Sequence, residues 1–217
     1  MSPIKAKHFV DAELPPAHRA VIPPALRAAY AAVDQLYQQE PLFSVESAII
    51  NKGHVVAWAV DRQIERLLTS GQLPYDYRWC PFERPTGKFL QIRLATATLS
   101  ISQLPLATDV PRHAHFRQNR ILSNAPFLDL DGFEDESSIS GLPHLILTHG
   151  YQELSFAHVG VLHPEPQRFG WIYRTPNLLK EVHVVETDMP AEEAADAEAI
   201  VTLRDDISRW VREQDDD

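Results

Sequence analysis

The chain has one cysteine, Cys80, in 217 residues. That excludes an internal disulfide framework and a cysteine-built zinc site, and it suits a reducing, cytoplasmic setting. No run of about 18 apolar residues occurs, so no membrane span is expected. The opening MSPIKAKHFVDAELPPAHR lacks the apolar core of a secretory signal. Glycine is scarce, at 8 residues, and neither G-x-G-x-x-G nor G-x-S-x-G is present, so neither a nucleotide cofactor nor a hydrolase nucleophile elbow is indicated. Cys80 sits between Trp79 and Pro81 with no neighbour poised to activate it, and reads as a packed small side chain. Internal repeats and low-complexity tracts are also absent.

At 44% hydrophobic residues the chain can bury a real core. The formal charge of −10 is unevenly spread. Residues 1–75 are neutral, 76–127 carry +4, 128–180 carry −4, and 181–217 carry −10. The body through Lys180 is therefore neutral, and an anionic partner for it is not excluded. These shifts predict a single α+β domain over 1–180, with an N-terminal arm over 1–22, followed by an acidic helical segment over 181–217.

Residues 1–22, dotted with proline and without a clear period, are expected to be an extended arm. Pro23 and Pro24 open a helix to about Gln39, on which Leu26, Tyr30, Val33 and Tyr37 form an apolar stripe. A second helical pattern runs from Ser44 to Ser70, stopped by Gly71. Asn51-Lys52-Gly53 interrupts it, leaving a kink or two helices open. Leu90, Ile92 and Leu94 then alternate with Gln91, Arg93 and Ala95, and the extended pattern over Lys88–Gln103 is one bent strand or a hairpin. Leu142–His149 and Leu154–Leu162 read as paired strands apolar on both faces, hence near a sheet centre. In a simple hairpin Leu145, Leu147 and His149 share a side with Phe156 and His158, and Ile146 shares the other with Val159 and Val161. Gly170–Thr175 adds a further strand. Ile200, Leu203, Ile207 and Trp210 stripe a last, acidic helix. The expected fold is α+β: N-terminal helices, then an antiparallel-rich sheet, closed by a C-terminal acidic helix.

Six of the ten histidines lie between Pro111 and His163. His113 and His115, two apart on an extended segment, present two imidazoles on one side, and Asp129 and Asp131 do the same with carboxylates. Such a mixed set suits a divalent metal of the zinc, manganese or iron kind. Arg112, Arg117, Arg120 and Asn119 are donors of the type that hold phosphates. Tyr75, Tyr77, Trp79 and Phe82, interleaved with Arg78 and Arg84, have the composition of a base-stacking surface. His149 and His158, about four residues apart along a simple hairpin, would be roughly 13 Å apart, too far for one ion. Hydrogen bonding within buried strands is the expected role of most strand histidines.

The run Phe127-Leu-Asp-Leu-Asp-Gly resembles the first motif of haloacid-dehalogenase-type phosphatases. The resemblance covers six residues and implies Asp129 as nucleophile and Asp131 as acid/base. That family opens its fold with this strand and continues in parallel α/β units. Here the run lies past mid-chain before hairpin-like strands, so the α+β expectation stands. Two readings of function follow, from different classes. In one, the chain binds nucleic acid or another phosphate-bearing ligand and cleaves it as a nuclease-like hydrolase, with Asp129 and Asp131 catalytic and a metal on His113, His115, Asp129 and Asp131. In the other it is a non-catalytic protein–protein interaction or regulatory module.

Overall fold

The computed structural model describes residues 3–82, 87–111, 124, 142–164 and 170–181. The N-terminal arm is helical rather than extended: α1 spans Pro3–Glu13 and α2 spans Pro16–Arg19. Ala6, Val10 and Leu14 form a buried stripe at helical spacing. Glu13 interrupts it in sequence but is buried too, because Thr96 donates to its carboxylate through the backbone N–H (2.9 Å) and Oγ1 (2.5 Å). The pairing of Arg19 with Asp11 at 2.7 Å fastens α2 back onto α1.

Helix α3, Ile22–Gln39, starts at the two prolines as expected and buries Leu26, Tyr30 and Val33. A 3-10 turn, Pro41–Ser44, leads into α4, Glu46–Thr69. The interruption at Asn51-Lys52-Gly53 does not divide the segment into two helices, since α4 runs through it. Glycine there is explained by a close approach: a Cβ on Gly53 would lie 2.5 Å from the Tyr151 ring. Gly71, at φ +77°, ends the segment in the left-handed region.

Among the described residues six strands follow: β1 Asp76–Pro81, β2 Lys88–Arg93, β3 Thr98–Leu104, β4 His144–Gly150, β5 Ala157–Leu162 and β6 Trp171–Arg174. They lie side by side in chain order. Every pairing is antiparallel except β3 with β4, which is parallel. The Lys88–Gln103 stretch is thus a hairpin, with its turn at residues 94–97. β1 was not foreseen as a strand, its aromatic alternation being bracketed by prolines. β4 and β5 are buried along their whole length, as residues apolar on both faces should be.

The β4–β5 register corrects the simple hairpin. Leu145 pairs with Val161, Leu147 with Val159 and His149 with Ala157. β5 starts at Ala157 rather than Leu154, which shifts the pairing by an odd number of residues and exchanges the faces of the whole strand. His158 therefore shares a side with Thr148, away from His149. Leu90, Ile92, Leu99, Leu145, Leu147, Val159 and Val161 form one core with α3 and α4. The acidic helix expected within 181–217 lies outside the described residues beyond Glu181.

One buried contact ties the layers together. The Tyr30 hydroxyl donates to the Gly150 carbonyl and lies 2.7 Å from His149 Nδ1. Its single proton is used on the carbonyl, so His149 carries its proton on Nδ1 and donates to the phenol oxygen. Tyr30→Phe is expected to lower stability by roughly 1–3 kcal/mol by leaving both partners unsatisfied, with urea denaturation as the measure. Burial also pushes the His149 imidazole down to about 4 from 6.5. Between those values the unfolded chain binds a proton that the folded chain refuses at His149, so the contribution of this residue to stability falls as pH drops from 6.5 towards 4. The same denaturation series across that range should show the wild type losing stability relative to His149→Asn as pH falls. His158, lowered chiefly by its own burial, keeps the variant's curve from being flat.

Candidate functional site

β1 is an edge strand with most of its side chains exposed. Phe82 N–H donates to Gly87 O at 2.9 Å, in register with the β1–β2 ladder. In an antiparallel pair the hydrogen-bonded positions alternate, so Asp76, Arg78 and Cys80 bond inward to β2. The N–H and C=O groups of Tyr77 and Trp79 consequently point away from the sheet. Among the described residues no strand pairs with this edge. At the next outward position Pro81 has no N–H to offer, which ends the usable edge.

The side chains of Tyr77 and Trp79 sit opposite Ile92 and Leu90, on the helix side of the sheet. Their polar ends reach α4: Trp79 Nε1 donates to Glu65 at 2.9 Å, and the Tyr77 hydroxyl is 3.3 Å from Thr69 Oγ1. The rings stay 37% and 40% exposed for Tyr77 and Trp79, and Trp58 on α4 is 52% exposed. Covering the open two-fifths of such a ring would contribute roughly 2 kcal/mol. A cleft of about 460 Å³ opens at the start of the same edge, lined by Leu68, Leu73, Tyr75, Asp76, Arg93 and Leu94.

Carboxyl and guanidinium groups both lie at this surface, with Arg93 in the cleft and Glu65 and Arg62 on α4. Burial, with Glu65 one turn along α4, pushes the Asp61 carboxyl up to about 7. Arg62, the cation beside them, lies 3.4 Å from Glu65. Arg78 projects from the opposite side of the strand and donates to Gln91 Oε1 at 2.9 Å, an acceptor shared with the Cys80 thiol at 3.2 Å. Tyr75 donates to Glu13 O and Phe82 stacks on Phe89, at 2.9 and 5.2 Å. The alternation read as a stacking surface is thus divided, with aromatic rings beside carboxylates and the described arginine elsewhere. Arg84 lies outside the described residues.

The sequence-predicted site is not among the described residues. His113, His115, Asp129, Asp131, Arg112, Arg117, Arg120 and Asn119 all lie outside them. Of that stretch Asn124 is described: it is buried, accepts from His144 N–H at 2.6 Å and donates to Leu162 O at 3.2 Å. Among the described residues no group of three metal-ligating side chains comes together. His144 is held by Thr98 and Ser100, each at 2.9 Å, and His158 Nδ1 donates to Thr175 O at 2.9 Å. His144 and the Thr148–His158 pair share a face but lie four residues apart along β4, roughly 13 Å. These strand histidines are bonded into the sheet and do not converge.

No family model, curated protein or solved structure matches this chain.

The Asp61 carboxyl gives a stability test. Asp61 favours its neutral form in the fold, so its contribution is present below its ordinary value of 3.8 and is lost as pH rises through about 7. Asp61→Asn is expected to raise the urea midpoint at pH 8 and to leave it unchanged at pH 3.5. Equal shifts at both pH values would sink this account of the carboxyl.

Proposed function

We propose that the chain is a non-catalytic interaction module that binds an extended segment of a partner protein by strand addition to β1. The observation that carries this reading is the open edge itself, with the outward N–H and C=O groups of Tyr77 and Trp79. Strand addition takes its affinity from such main-chain groups and its specificity from alternate side chains. Tyr77 and Trp79 offer apolar surface on one side of the edge, and the cleft beside Tyr75 offers a pocket at its start. Natural edges are usually blunted by charge, proline or a covering element. Among the described residues no strand pairs with this edge, and proline ends it at Pro81.

Peptides selected on the full chain from a random displayed library test the proposal by amide hydrogen exchange. A selected peptide should slow exchange at Tyr77 and Trp79. Trp79→Pro removes an outward donor without touching the β2 ladder and should weaken binding at least tenfold, whereas Trp79→Phe, which keeps the N–H, should retain most of it. Equal binding by Trp79→Pro would overturn the reading. The nuclease-like alternative, centred on residues 112–131, makes the opposite prediction. Purified protein would carry a metal that His115→Ala lacks. Nucleic-acid affinity would fall with salt along a slope that Arg117→Ala flattens by about one unit.

A further inference from the structure

The end of α3, the 3-10 turn and the first turns of α4 form a tip that holds large apolar side chains in solvent. Leu42 is 56% exposed, Val45 50%, Ile49 52% and Ile50 62%, with Tyr151 beside them at 40%. Exposed apolar side chains that occur singly are ordinary, but a group at one place marks a contact surface. The base beneath it is fixed. Tyr37 packs on Phe43 at 4.6 Å between ring centres and donates to Ala48 O at 2.9 Å, locking the turn to both helices. Gln152 donates to Ile50 O at 3.2 Å, and the Tyr151 ring lies where a side chain on residue 53 would be. A surface already held in shape loses little freedom when it binds.

The rim has one sign. Glu40 precedes the turn, Glu46 opens α4, and Glu153 lies in the turn that carries Tyr151 and Gln152. None of the three makes an ion pair among the described residues. Lys52, the nearest cation along α4, is already paired with Asp34 at 2.5 Å. We infer that this tip is a second docking surface, built for a partner-protein segment whose apolar side chains are flanked by lysine or arginine. A second copy would bring the same three carboxylates against each other across a two-fold contact. An anionic membrane or a nucleic acid meets the same repulsion. The surface rests on different residues from the β1 edge and does not depend on it.

The test uses the full chain and a labelled amphipathic leucine–lysine helical peptide, with a leucine–glutamate peptide of the same length as control, read by fluorescence anisotropy. The leucine–lysine peptide should bind, and the leucine–glutamate peptide should not. Ile50→Asp should weaken binding at least tenfold. The double charge reversal Glu46→Lys with Glu153→Lys should weaken it comparably while leaving the apolar surface in place. Trp79→Pro should leave it unchanged, which separates this surface from the edge. Absent binding, equal binding by the variants, or equal binding of both peptides would overturn the inference. So would a dimer in sedimentation, or co-sedimentation with anionic vesicles, that Ile50→Asp abolishes.

Discussion

The helix layer and the sheet are joined at depth by one phenol. Tyr30, from the middle of α3, places a single hydroxyl between the His149 ring and the Gly150 carbonyl at the end of the central strand β4. Apolar packing around it is non-directional and tolerates sliding of a helix over a sheet. A buried hydroxyl with two fixed partners does not, because any displacement strands a donor or an acceptor out of reach of water. The contact depends in turn on residue 150 being glycine. A Cβ there would lie 1.9 Å from the Glu153 carbonyl oxygen, so the turn could not close as it does. That turn sets where β5 begins, and hence the register of everything beyond it.

The far side of the sheet is organised differently. Gln91, Ser100, His144, Thr148 and His158 are buried there as polar residues, and their bonds run across strands and to strand ends. His144 is held at both ring nitrogens by β3 hydroxyls, which fixes the parallel β3–β4 pair side by side. Such a network has value mainly as specification, since a slip of one residue would unpair several of its members at once. The described strand histidines His144 and His158 thus serve strand pairing.

What was legible in the sequence follows from the range of the interactions involved. The stripes of α3 and α4, the prolines that open α3, the stop at Gly71 and the central position of β4 and β5 are all encoded within a few residues. α1 was missed because Glu13 breaks its stripe, and the carboxylate is satisfied by Thr96, 83 residues away. The β4–β5 faces were exchanged because period-two alternation fixes each strand but not the parity of the loop joining them. Tyr77 and Trp79 stood out as exposed aromatics interleaved with arginine. Two facts about them are invisible locally: β1 lies at the edge of the described sheet, and Trp79 is bonded to Glu65 of α4.

Charge distribution, more than charge, bears on what such a body recognises. Residues 1–180 are neutral in sum, and several of the described cations are committed. Lys7, Arg19, Lys52 and Arg62 sit in ion pairs, and Arg78 and Arg174 donate to uncharged acceptors. Glu40, Glu46 and Glu153 have no such partner among the described residues, and they border the apolar tip. The three glutamates at the tip are thus left without ion-pair partners among the described residues, and a field acts on a partner through the groups nearest it. Apolar area without directional charge would favour self-association, and an acidic border on it disfavours a like surface while admitting a basic one. On this ground the partner segment proposed for the tip is one that is apolar at its centre and cationic at its margins.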